Sequence, residues 1–189
     1  DVTIQAHSRL EGPLFIGKGS TVLGGDLRQS SIGQSCKVMG EVSRSVISSY
    51  SNKAHAGFVG DSYLCNWVNL GAGTTTSNLK NTYASIAVEI DRKKVQTGCQ
   101  FLGSIIGDHS KLAIGTCLNA GTLIHFGSSL FDINFSQKTY APFSWGASAS
   151  DMYDLAKFLE MVKRVMQRRA CRVSHQYEAL ISFLHQLYQ

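Results

Sequence analysis

The aliphatic residues of this chain return at every sixth position. From Ile106 the sequence reads Ile106-GDHSK, Leu112-AIGTC, Leu118-NAGTL, Ile124-HFGSS, Leu130, five aliphatics in step. Ser110, Thr116, Thr122 and Ser128 each follow one of them by four places. The same beat opens the chain at Ile4, Leu10, Ile16 and Val22, resumes after a slip at Ile32 and Val38, and returns at Val59, Leu64 and Leu70. A helix would repeat near 3.6 residues and a simple half-buried strand near 2. A period of six fits a coil of three short flat strands, each about six residues long with its turn. The aliphatic side chain points inward and stacks on its counterpart in the next coil. The small residue four places on also faces the interior, where a second bulky group would not fit. Glycines take the corners that need positive φ. Neighbouring coils pair at about 4.8 Å. The pattern therefore predicts an all-β fold, a left-handed parallel β-helix over residues 1–149.

Two stretches break the beat. Between Asn78 and Gln100, Ile86, Val88 and Ile90 alternate with Ala87 and Glu89, and Asp91-Arg-Lys-Lys then turns the chain. This predicts an inserted loop or hairpin arm over 78–100, and insertions in repeat folds collect at the working face. After Phe131, residues 134–145 read as an irregular crossing segment.

The tail changes period. Met152, Leu155, Leu159, Val162 and Met166 share one helical face, with Ser150 or Asp151 as N-cap and Arg168, Arg169 and Arg172 toward the C-terminal end. Tyr177, Leu180, Ile181, Leu184, Leu187 and Tyr188 share the face of a second helix. Residues 150–189 thus form a helical appendage, expected to cover the open end of the coil or a neighbouring subunit, because bare sheet edges invite aggregation.

Composition narrows the function classes. The net charge is +5, but the basic residues are scattered and Arg92-Lys93-Lys94 is the densest run. A nucleic-acid binder shows a basic stripe with interleaved aromatics, so no nucleic-acid partner is expected. No transmembrane run and no signal peptide are read, so no membrane partner is expected either. The five cysteines lack CxxC spacing, which disfavours a disulfide framework and a zinc site and fits a reducing cytoplasm. The chain starts at Asp1 without Met, as a fragment would, and a further domain is expected upstream.

The most specific segment is Asn52-Lys-Ala-His55-Ala-Gly-Phe58-Val-Gly-Asp61, followed by Val68-Asn69-Leu70-Gly-Ala72-Gly-Thr-Thr-Thr-Ser-Asn78. It resembles the run KAGHxxYxGDxxIGxxVNIGAGTxxxN of the bifunctional bacterial glucosamine-1-phosphate acetyltransferase / N-acetylglucosamine-1-phosphate uridylyltransferase family. The likeness runs without gaps over residues 53–78, and the hexads extend it over roughly 35–132. Asn78-Leu79-Lys80-Asn81 and Phe143-Ser-Trp-Gly look closer to a sugar nucleotidyltransferase-like branch, with a nucleotidyltransferase domain ahead of the coil.

The resemblance implies roles. His55 stands where the family keeps its general base. Asn69 and Asn78 stand where it holds sugar phosphate or positions the cofactor. Ala72 and its neighbour Gly73 stand where backbone meets acetyl-CoA. The family also implies a homotrimer with sites between subunits. The chemistry is sound from below. An amino sugar is an ammonium at neutral pH and must lose a proton before it attacks a thioester, and imidazole is the natural acceptor. Backbone N–H groups at the Gly-Ala-Gly corner can steady a developing oxyanion. Arg92, Lys93 and Lys94 are candidates for the phosphates of coenzyme A. The departures concern the acceptor. The family's Tyr is Phe58 here, its Asn-Tyr-Asp-Gly is Asn78-Leu79-Lys80-Asn81, and its phosphate-binding Lys falls on Ser43, with Arg44 next door. A zinc carbonic anhydrase built on the same coil needs an HxxxxH pair, and His7, His55, His109 and His125 offer none, so no metal is expected. Two readings follow: an acyl-CoA-dependent acetyltransferase acting on an amino-sugar phosphate or sugar nucleotide, and a non-catalytic trimerisation platform for a nucleotidyltransferase domain.

Overall fold

The computed structural model describes residues 1–90, 92–131, 137–146 and 151–189. The chain winds as a parallel β-solenoid with three faces. The first face stacks Thr3–Ile4, the start of Thr21–Arg28, the start of Lys37–Ser43, Asn52–Lys53, Asn69–Leu70, Lys111–Leu112 and Ser129–Leu130. The second stacks Ser8–Glu11, the ends of those two long strands, and Phe58–Gly60. Thr75–Thr76 and Cys117–Leu118 continue it. The third is a parallel stack of seven strands from Phe15–Ile16 to Thr139–Tyr140.

The register explains the beat. Ile32, Ile47, Leu64, Ile106, Ile124 and Tyr140 stand in line up the third face, and all are buried. Where the small residue four places on is Ser or Thr, its hydroxyl bonds backbone, of its own turn at Thr116 and Thr122 and of the neighbouring coil at Ser20 and Ser110. Ser20 Oγ donates to the Gly33 carbonyl at 2.7 Å and accepts the Cys36 N–H at 2.9 Å. The buried Ser20 hydroxyl is thus satisfied by backbone on both sides.

Two positions depart from the inward rule. Ile4 is 50% exposed and Leu10 is exposed as well. An interior position is closed only when a coil stacks on both sides, and theirs has one such neighbour among the described residues. Lys53 is the opposite case. It pairs with Val38 in a column of aliphatics and is 2% exposed. Its Nζ donates to the Met39 carbonyl at 2.9 Å and to the His55 carbonyl. Burial pulls its amine down to about 8.

The insertion is a hairpin. Ala87–Ile90 pairs antiparallel with Lys93–Gln96. Ile86 and Val88 are buried at its base, where Ile86 lies against Gly121, and Ile90 is exposed toward the tip.

The helices differ from expectation in start and in place. Helix α1 spans Leu155–Gln167 and is capped by Asp154, whose side chain accepts the Lys157 N–H at 2.9 Å. Asp151 is therefore not the cap, Ser150 lies outside the described residues, and Met152 precedes the helix in a bridge to Ser144. Helix α2 spans His175–Leu187 with Ser174 as cap. The pair runs along the solenoid's side, beside the corner between the third and first faces, from Tyr50 and Asn52 to Phe143. At that corner Tyr50, Trp67, His109, Gly127 and Phe143 each take positive φ. Gly127 leaves a notch in this row. A Cβ there would lie 3.0 Å from both Phe143 and Phe158, so the missing side chain is what admits Phe158 of α1. Phe158, Val162 and Ile181 are fully buried there, whereas Leu180, Leu187 and Tyr188 of the predicted α2 face stay exposed. Among the described residues no helix is long and apolar enough to cross a membrane.

Candidate functional site

His55 stands at the corner between the first and second faces, just after Asn52–Lys53 and before Phe58–Gly60. Its side chain is exposed, and among the described residues its imidazole makes no hydrogen bond. The corner of the next coil, Ala72-Gly73, stacks directly on it. The Gly73 N–H donates to the Ala56 carbonyl at 3.1 Å, and the Gly115 N–H donates to the Ala72 carbonyl at 2.7 Å. The Gly73 N–H is therefore engaged in stacking, while the Ala72 N–H has no backbone partner among the described residues. Of the two, Ala72 has the donor free to face a developing negative charge.

Phe58 sits between this corner and the next edge. Its ring folds over Gly60, where a Cβ would meet Cζ at 2.3 Å. Beyond it, Arg44 and Asn78 come together through Asp61. The Arg44 guanidinium donates to both Asp61 oxygens at 2.7 and 2.8 Å, and Asn78 Nδ2 donates to Asp61 Oδ2 at 2.6 Å. The hydrogen bonds to Asp61 raise the Arg44 pKa further. Asp61 falls inside the motif quoted above, but nothing in the sequence marked it as the joint between Arg44 and Asn78. Arg44, Asp61 and Asn78 lie on three successive coils, and only the register brings them together.

Asn69 stands elsewhere. It points outward on the first face, beside Asn52 (Nδ2 to Oδ1, 3.4 Å), in a cavity of about 410 Å³ beneath α1. Arg92 and Lys93 stand exposed at the hairpin tip. Lys94, paired with Glu89, joins Lys80 and Lys138 around a cavity of about 300 Å³ at the hairpin base. Burial, then Lys80 and Lys94, push the Lys138 amine down. Lys80 and Lys138 are far apart in sequence, so their convergence was not legible there.

His109 is fully buried at the helix-covered corner. Its Nε2 lies 2.8 Å from the Tyr177 hydroxyl, its ring stacks on Trp67, and its Nδ1 has no partner. Burial, and secondarily Lys111, hold it down to about 3, so it is neutral at pH 7 and serves packing.

No family model matches the chain. The chain is similar to the bifunctional sugar-1-phosphate nucleotidylyltransferase/acetyltransferase of Sulfurisphaera tokodaii, 36% identical over 84 residues, which is 44% of this chain and 21% of that protein. It is similar to the bifunctional protein GlmU of Synechococcus elongatus, 30% identical over 122 residues, 63% of this chain and 25% of that one. GlmU of Picosynechococcus is 32% identical over 93 residues, 48% of this chain and 21% of that protein. The chain thus spans between a fifth and a quarter of the length of these relatives. It is a parallel β-solenoid of hexapeptide repeats that resembles a segment of the bifunctional nucleotidylyltransferase/acetyltransferases.

Proposed function

We propose that this chain is an acyl-CoA-dependent acetyltransferase domain acting on an amino-sugar phosphate or sugar nucleotide, within a protein that also carries a nucleotidyltransferase domain. The observation that carries this reading is the His55 corner: an exposed imidazole directly beneath a backbone corner that has a free N–H. The likeness to proteins named as acetyltransferases supports it.

On this reading His55 takes the proton from the acceptor's ammonium, which frees the amine lone pair for attack. Acetyl-CoA supplies the acyl group as a thioester. Lys80, Lys94 and Lys138, with Arg92 and Lys93 along the same hairpin, offer cations to its phosphates. The Ala72 N–H faces the carbonyl oxygen as charge develops there. The acceptor residues are Arg44 and Asn78 on one side and Asn69 on the other. Because Asp61 takes the Nε and one Nη2 N–H of Arg44, that guanidinium meets a phosphate with its three remaining N–H groups. The chain works as a homotrimer in the cytoplasm.

A specific observation favours the second reading, a non-catalytic platform: no described residue orients the His55 ring, and Phe58 lacks the hydroxyl that could. Free-thiol release from acetyl-CoA, measured with glucosamine 1-phosphate and other amino-sugar phosphates, separates the two. Acceptor-dependent release supports the transferase. Intact trimers that give no release with any acceptor favour the platform.

A further inference from the structure

The outward positions of the first face form a vertical row. Lys37 pairs with Asn52, Asn52 with Asn69, and Asn69 with Lys111. The C-terminal part of α1 passes over this row and leaves the cavity of about 410 Å³. Arg168 and Arg169, at the helix end, reach into it from above. Four basic side chains therefore line one cavity, no carboxylate lines it, and none of the four belongs to an ion pair among the described residues.

This arrangement is not what helix docking requires. Earlier along, the same helix docks through Phe158 and Val162 on an apolar corner. Converging like charges repel one another and are costly to desolvate, so a seam built only for packing would use aliphatics. The polar groups are also held in place. Arg169 donates to Asn52 Oδ1 at 2.8 Å. Lys111 Nζ donates to the Trp67 carbonyl at 2.6 Å and the His109 carbonyl at 3.1 Å. An ammonium has three N–H groups, so one remains to face the cavity. Met161 and Val165 add an apolar wall beside the charges. A volume of several hundred Å³ holds a small organic molecule rather than a bare ion.

We propose that this cavity binds a phosphorylated small molecule, with its phosphate held by Lys37, Lys111, Arg168 and Arg169. The site lies beneath α1, shares only Asn69 with the acceptor set proposed above, and does not depend on acetyl transfer. Binding also draws in a proton. Burial pulls the Lys111 amine down to about 7, and the groups around it, Lys37, Tyr50 and the neutral His109 on the solenoid and Arg168 and Arg169 just past the end of α1, include no negative charge. A phosphate among them restores the ammonium.

The test is calorimetry on the full chain at pH 7.5, with glucose 1-phosphate, uridine 5′-monophosphate and inorganic phosphate as probes and glucose and uridine as controls. The experiment is repeated in two buffers of different ionisation enthalpy. One phosphorylated organic probe is expected to bind with 1:1 stoichiometry and net proton uptake, while its unphosphorylated counterpart does not bind. Lys37→Gln, at an exposed position, and the double variant Arg168→Gln/Arg169→Gln are each expected to weaken binding at least tenfold. Lys111→Met is expected to abolish the proton uptake. His55→Ala is expected to leave binding unchanged, so failure of acetyl transfer and failure of this site are distinguishable. Three results would overturn the proposal: no binding by any probe, affinity unchanged in both Lys37→Gln and the double arginine variant, or inorganic phosphate binding as tightly as the organic phosphates.

Discussion

His55 and His109 both stand at corners of the same solenoid. His55 occupies the edge between the first and second faces, and His109 the edge between the third and first. Around His55 the coil is bare, and its ring meets solvent. Around His109 the corner row is filled by Trp67 below, Phe126 and Phe158 beside it and Tyr177 across it. One imidazole is open to solvent, and the other is held neutral. The coil places both side chains outward with little cost. What decides their chemistry is whether the appended helices cover the edge on which they stand.

Removing the cover should have the largest effect. Phe158→Ala empties the notch at Gly127, and a stability loss of about 3–5 kcal/mol is expected by chemical denaturation. The same change should let His109 titrate in the ordinary histidine range, read by its NMR shifts. A His109 resonance still silent above pH 5 in that variant would mean that the helices do not set its environment.

Acid should act next. His109 has a folded pKa near 3 against about 6.5 unfolded. Its unfolded state therefore binds more protons as pH falls below 6.5, and stability present above that pH is lost down toward 3. The slope approaches about 1.4 kcal/mol per pH unit. His109→Phe should flatten the pH dependence of the unfolding midpoint over this window.

Lys53 carries the same sign in a higher pH window. Its amine stands at about 8 folded and 10.5 unfolded, so the folded state is disfavoured below pH 8 and gains stability as pH rises from 8 to 10.5. Lys53→Met should raise stability at pH 7 by about 1–3 kcal/mol, after the lost hydrogen bonds are offset. A Met variant less stable than the parent would show that the bonds to Met39 and His55 outweigh desolvation. The smallest effect belongs to His55→Gln. At an exposed corner it should move stability by less than about 0.5 kcal/mol.

The comparison also shows what a sequence of this kind discloses. The coils were legible because a six-residue beat has one economical geometry, and Ile32 to Tyr140 stack as that geometry demands. The hairpin was legible from the alternation of Ile86, Val88 and Ile90. The place of the helices was not, because the notch that seats them is Gly127, and a glycine at a coil corner looks the same whether it turns the chain or admits Phe158. The candidate site was legible where it is local in sequence: His55, Asn69, Ala72 and Asn78 all fall in one motif. It was illegible where coil stacking assembles it. Asp61 between Arg44 and Asn78, Lys138 beside Lys80, and Lys37 in line with Lys111 are neighbours only through register. The buried charge of Lys53 was missed for a related reason. It occupies an aliphatic column in the slip before His55, where the beat is hardest to follow.

On the proposed reading the bare corner does the chemistry while the covered one only packs. Acetyl transfer by the His55→Ala chain, compared with the parent by free-thiol release under saturating acetyl-CoA and an accepted amino sugar, tests it most directly. The account predicts a fall in kcat of roughly 10²–10⁴-fold with an unchanged unfolding midpoint. Full turnover by His55→Ala would contradict it.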